Sequence, residues 1–114
     1  MEDFKKILLR LRLKKTRGSI VRLTLLAHEQ LVRQGYEDAQ VVHGYAVWGT
    51  HGCWHIWIEC QGNQLDVGQS LVKIPVSLVR ELPEGTVLMG DSKSFQEEYQ
   101  AWLDDPKKYF KNKS

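Results

Sequence analysis

The stretch His55-Ile56-Trp57-Ile58-Glu59, followed by Leu65-Asp66-Val67, decides how this chain is read. From Cys53 to Cys60 the residues are strand formers, and a strand turns successive side chains to opposite faces. Trp54, Ile56 and Ile58 then share one face, and Cys53, His55, Trp57 and Glu59 share the other. Gln61-Gly62-Asn63-Gln64 is a short polar turn, and Gln64 to Val67 continues as the second arm of a hairpin. This reading sets a histidine on one strand and an aspartate on the next. A carboxylate that fixes a histidine tautomer is the base-and-orienter half of a nucleophile–base–orienter triad.

Upstream, Ile20, Leu23, Ala27, Leu31 and Gln34 recur at helical spacing, with Leu26 widening the apolar stripe. Ser19 is an N-cap candidate for this helix, and Gly35 is its stop. Tyr36-Glu37-Asp38 reads as a turn, Ala39 to Trp48 as a buried strand, and Gly49-Thr50-His51-Gly52 as a loop. Phe4, Ile7, Leu8 and Leu11 predict a basic amphipathic helix over 3–15, although Leu9-Arg10-Leu11-Arg12-Leu13 also alternates as a strand would. Downstream, the reading gives a short strand over Leu71–Ile74, a boundary at Pro75, a helical turn over 76–82 and a strand over Thr86–Met89. Phe95, Tyr99, Trp102 and Leu103 predict an amphipathic helix over Ser94–Leu103, ended by Asp104-Asp105-Pro106. The lysine-rich tail, 107–114, is expected to fray. Helix, then strands, then a closing helix is an α+β order.

At 114 residues the chain is the size of one domain, and 42% hydrophobic content with four tryptophans suffices for a modest core. The net charge of +2 does not announce a nucleic-acid binder. It conceals a basic start: Lys5, Lys6, Arg10, Arg12, Lys14, Lys15, Arg17 and Arg22 stand against Glu2 and Asp3. Such a run is a solvated helix face more often than a contact for phosphates or acidic peptides. The early apolar residues are interrupted by Arg and Lys, so neither a secretory signal nor a membrane span is expected. Cys53 and Cys60 show no metal spacing, and on one extended strand they lie about 20 Å or more apart, beyond disulfide reach. A reduced, cytoplasmic setting is the expectation.

The order helix, Gly35-Tyr36, strand Ala39-Gln40-Val41-Val42-His43-Gly44-Tyr45, strand His55-Ile56-Trp57-Ile58-Glu59 and then Asp66 resembles the transglutaminase-like branch of the papain-like fold. The likeness covers roughly residues 18–68 and is close in kind to the leader peptidases of lasso-peptide biosynthesis. It implies a small α+β domain over 1–114, with a central helix packed on an antiparallel sheet. It also implies a peptide or protein partner and thiolate attack on an amide, with no cofactor. By this resemblance His55 is the general base and Asp66 its orienting carboxylate. In that family a cysteine opens the central helix, where the dipole and free N–H groups lower its pKa. Ser19 stands at that place here. Three accounts compete: a non-catalytic member with a native serine, a serine put in place of a cysteine, or a serine nucleophile. The last is disfavoured, because a hydroxyl has a far higher pKa than a thiol.

Other groupings compete with this one. His43, His51 and His55 are possible metal ligands, but a strand separates His51 from His55 by about 13 Å. Cys53 lies on the face of His55, about 6–7 Å along the strand. Buried structural thiols are the simpler reading of both cysteines. Glu59 is expected to satisfy a backbone or arginine partner. Three functions follow: a cysteine-peptidase-like or transglutaminase-like protein acting on a peptide amide, a non-catalytic peptide- or protein-binding module of that fold, and a basic accessory protein binding nucleic acid through residues 5–22.

Overall fold

The computed structural model describes residues 2–13, 19–68, 76–90 and 93–113. Its elements run α1 (Glu2–Leu13), α2 (Ile20–Arg33), β1 (Gln40–Trp48), β2 (His51–Cys60), β3 (Asn63–Leu65), β4 (Ser77–Val79), β5 (Val87–Leu88), α3 (Lys93–Asp104) and α4 (Pro106–Lys113). This is an α+β arrangement of helices on a largely antiparallel sheet, ordered β3-β2-β1-β4, with β5 joined in parallel to β2.

The β1–β2 hairpin is the frame. Its register runs without interruption from Gln40↔Glu59 to Trp48↔His51. Gly49 takes a positive φ of 57° at the first position of the two-residue turn, as a tight hairpin of the Gly-X kind requires. His51 and Gly52, expected in a loop, are therefore the first strand residues of β2. At the other end Gln61 and Gly62 both have positive φ, 52° and 76°, the type I′ requirement. The Asp38 carboxylate accepts the Gln61 N–H at 2.7 Å and so holds a non-glycine residue in that conformation.

The helix stop is also legible in bonds. Gly35 has φ 100°, Gly35 N–H donates to Val32 O and Tyr36 N–H donates to Leu31 O, the double closure of a Schellman motif. It turns the chain off α2 and into β1. α2 then lies on the sheet. Ile56 clusters with Val21, Leu25 and Tyr109, while Ile58 clusters with Ala27, Leu31, Phe4 and Ile7. Tyr36 also ties the helices together by donating its hydroxyl to the Asp3 carboxylate of α1.

The opposite face of β2 packs differently. Trp57 is 0% exposed, and its ring lies over Gly44. A methyl group on Gly44 would stand 2.4 Å from the Val79 carbonyl oxygen and 2.6 Å from the Trp57 ring. Position 44 therefore has room only for hydrogen.

Four further expectations are corrected. β3 is Asn63–Leu65 rather than Gln64–Val67, because the turn takes only Gln61 and Gly62, so Asp66 lies just past the strand and not on it. Residues 76–82 hold the strand β4, because Leu78 and its neighbours take the free edge of β1 at Tyr45–Val47. The strand expected at Thr86–Met89 is shorter and parallel to β2, two residues long. The tail does not fray over 106–113: it forms α4, and Tyr109, 4% exposed, is buried against α2 and Ile56. The short strand expected at Leu71–Ile74 lies outside the described residues.

Two substitutions test this packing. Gly44→Ala should cost about 3 kcal/mol, because one of its clashes is with backbone that cannot turn aside. Tyr109→Ala should cost at least about 3 kcal/mol, as an aromatic anchor does, whereas a frayed tail would cost nothing. Both are read from the midpoint of urea unfolding at constant m.

Candidate functional site

His55 and Asp66 meet. The ring Nε2 donates to Asp66 Oδ1 at 2.8 Å, which leaves Nδ1 as the ring's second site in the neutral tautomer. Asp66 Oδ1 also accepts the Gly68 N–H at 2.8 Å. The pair is sheltered: the side chains are 15% and 4% exposed, respectively. Asp66 Oδ2 is buried and has no partner among the described residues. Gly68 closes the site. A Cβ there would come within 2.8 Å of His55 Cε1 and 3.2 Å of Asp66 Oδ1, so the chain approaches the pair only because this residue has no side chain.

The same face continues on both sides of His55. The Trp57 ring lies roughly parallel to it at 6.4 Å and donates its Nε1–H to Glu59 at 3.1 Å. Arg80 donates to the other Glu59 oxygen at 2.7 Å, and this partner chiefly holds the Glu59 carboxyl below its ordinary value. The arginine partner expected for Glu59 is thus Arg80. On the other side lie Cys53 and then His51, which stacks on Trp48. Burial pushes the Cys53 thiol up, and burial with Asp38 pushes Cys60 up, so neither is primed as a thiolate.

Ser19 is elsewhere. It is the N-cap of α2, with φ −69° and ψ 166°, and its Oγ accepts the Arg22 N–H at 3.1 Å. Its hydroxyl donates to the Glu98 carboxylate, whose oxygens lie 2.8 and 2.7 Å away. The Tyr109 hydroxyl donates to the same carboxylate at 2.7 Å. Burial first, and Glu98 second, raise the Tyr109 pKa. Ile56 packs with Val21 and Leu25, so the alternation along β2 turns His55 to the face away from α2. The structure joins His55 to Asp66 and joins Ser19 to Glu98. No hydrogen bond among the described residues links the two groups.

The histidines do not gather. His43 lies on the helix-covered face, stacked at 4.9 Å on Trp54 and 5.4 Å from Phe95, with Tyr99 at 4.8 Å. His51 and His55 are on the other face. Among the described residues no three of His, Cys, Asp and Glu are arranged to hold a metal ion, and no helix is long and apolar enough to cross a membrane. Lys5, Lys6 and Arg10 are exposed on α1.

Three residues of these clusters were missed from sequence, Gly68, Glu98 and, in the tail expected to fray, Tyr109. Gly68 gave no signal beyond following Asp66. Glu98 did carry one: with Phe95, Tyr99 and Trp102 it falls on the inward stripe of α3, at spacings where a carboxylate needs a partner. No protein family, curated protein or solved structure matches the chain.

Burial lowers the pKa of His43, with no offsetting charge among its causes. The proton is thus bound more weakly in the folded chain than in the unfolded one. Stability should be full above the unfolded value near 6.5 and fall as pH drops through it. Urea unfolding at pH 7.5 and 5.5 should show this loss, and His43→Phe should diminish it.

Proposed function

We propose that this chain is a peptide- or protein-binding module of the transglutaminase-like kind, which keeps a histidine–aspartate pair but has no working nucleophile. The observation that carries the reading is the bonding of Ser19. Acyl transfer by a histidine triad needs a hydroxyl or thiol whose proton passes to the imidazole within about 3 Å. The Ser19 proton is instead directed to the Glu98 carboxylate, and a carboxylate is a much weaker base than imidazole. His55 for its part is bonded on the other face of the sheet. The order of elements from Ser19 to Asp66 supports the fold assignment, and the tight approach of Gly68 to His55 supports a pair kept in fixed geometry. What such a pair offers a peptide is one ring nitrogen of fixed tautomer, able to accept a backbone or side-chain N–H.

A thiol at position 19 separates this reading from a latent enzyme. Ser19→Cys, treated with a cysteine-reactive acyl probe, should label no faster than Cys53 and Cys60 do, and His55→Ala should leave the rate unchanged. Fast labelling that disappears with His55→Ala would restore the triad and overturn the binding-module reading.

A further inference from the structure

β5 forms one edge of the sheet. Among the described residues β5 has one neighbour, β2. Val87 N–H donates to Thr50 O at 2.8 Å and Met89 N–H donates to Gly52 O at 2.7 Å. Alternate residues of a strand address opposite edges, so Leu88 directs its N–H and C=O outward. Edge strands are ordinarily blunted by short length, lysine, proline or a bulge. β5 is short, two residues, but carries no lysine, proline or bulge. Val87, Leu88 and Met89 are 54%, 42% and 44% exposed, and Trp48, across His51 from Val87, is 37% exposed. Four of the seven large apolar side chains that the described residues expose are thus gathered at this end of the sheet. Exposed apolar side chains gathered at one end of a sheet mark an interaction surface.

The electrostatics select the partner. The chain enters β5 through the turn Pro83-Glu84-Gly85-Thr86, closed by Thr86 N–H on Pro83 O, with Gly85 at φ 83°. This turn holds Glu84 in solvent at the head of the strand, and Glu81 is exposed just before it. Neither forms an ion pair among the described residues.

We propose that the outer edge of β5 takes an extended, basic peptide as an added strand. Leu88 supplies the main-chain hydrogen bonds, alternate apolar side chains of the peptide pack beside Val87 and Met89 on one face of the sheet, and its lysine or arginine meets Glu84 and Glu81. This goes beyond the reading above, because it concerns the sheet edge and not His55.

The test uses the full chain and a fluorescein-labelled peptide of alternating valine and threonine with lysine at both ends. Its anisotropy should rise saturably. A twin with glutamate ends, and one N-methylated on alternate residues to remove its donors, should each bind at least about tenfold more weakly, the effect of one lost charge-assisted or main-chain contact. Leu88→Pro removes the outward N–H and spares both bonds to β2, so it should weaken binding by a similar factor. Leu88→Ala keeps the N–H and should lose less. The methylated peptide decides the matter even if Leu88→Pro does not fold. Binding lost in His55→Ala but kept in Leu88→Pro would move the peptide to the His55 face and overturn the edge proposal. Absent saturable binding, or equal binding of the methylated peptide, would also overturn it. So would self-association that Leu88→Pro abolishes in a chain that binds no peptide, since a second copy would then occupy the edge.

Discussion

The uninterrupted pairing of β1 with β2 is the constraint on which the rest depends. Once nine residue pairs are locked in register, every side chain of β2 is committed to one of two faces, and a slip of one residue would exchange them all. The apolar face, Ile56 and Ile58, recruits α2, and with it α1 and α4. The other face holds Trp57 over Gly44 and lines up His55 for Asp66. Core and candidate site are two consequences of one register. Gly49 sets that register as much as the apolar residues do, and Gln61 and Gly62 do the same for β2 with β3.

A second node closes the molecule. Glu98 gathers the hydroxyls of Ser19 and Tyr109, and so brings the start of α2, the middle of α3 and the middle of α4 to one carboxylate. α3 has no fully buried residue, and its half-buried rings Phe95, Tyr99 and Trp102 are what it offers the core. A charge-assisted pin of this sort fixes the position of a helix that apolar burial alone would hold loosely. It also gives Ser19 a structural task that accounts for a serine there without catalysis.

Much of this was legible because local rules and tertiary packing agree. The Ser19 cap, the Gly35 stop and the period of α2 are short-range signals, and each appears as read. The two faces of β2, and the His55–Asp66 bond, follow from alternation and a short turn. The failures share a cause in long-range partners. Residues 76–82 have apolar spacing that suits a helical turn, but the open edge of β1 converts Ser77–Val79 to a strand. The lysines of the tail hide one buried aromatic, Tyr109, whose partner Glu98 belongs to another helix. Ser19 and Glu98 are 79 residues apart, and no local pattern relates them.

The aromatic contacts have an optical consequence. Tyr45, Trp54, His43, Tyr99, Trp102 and His28 form one chain of ring contacts across the helix-covered face, each link between 4.8 and 6.3 Å. Trp57 lies sealed on the other face, and Trp48 stands at the open end of the sheet. The four indoles thus sit in three separate environments: beneath α3, behind His55 and beside β5. Single-tryptophan versions of the chain would therefore carry built-in emission reporters for three different parts of the molecule, needing no attached dye.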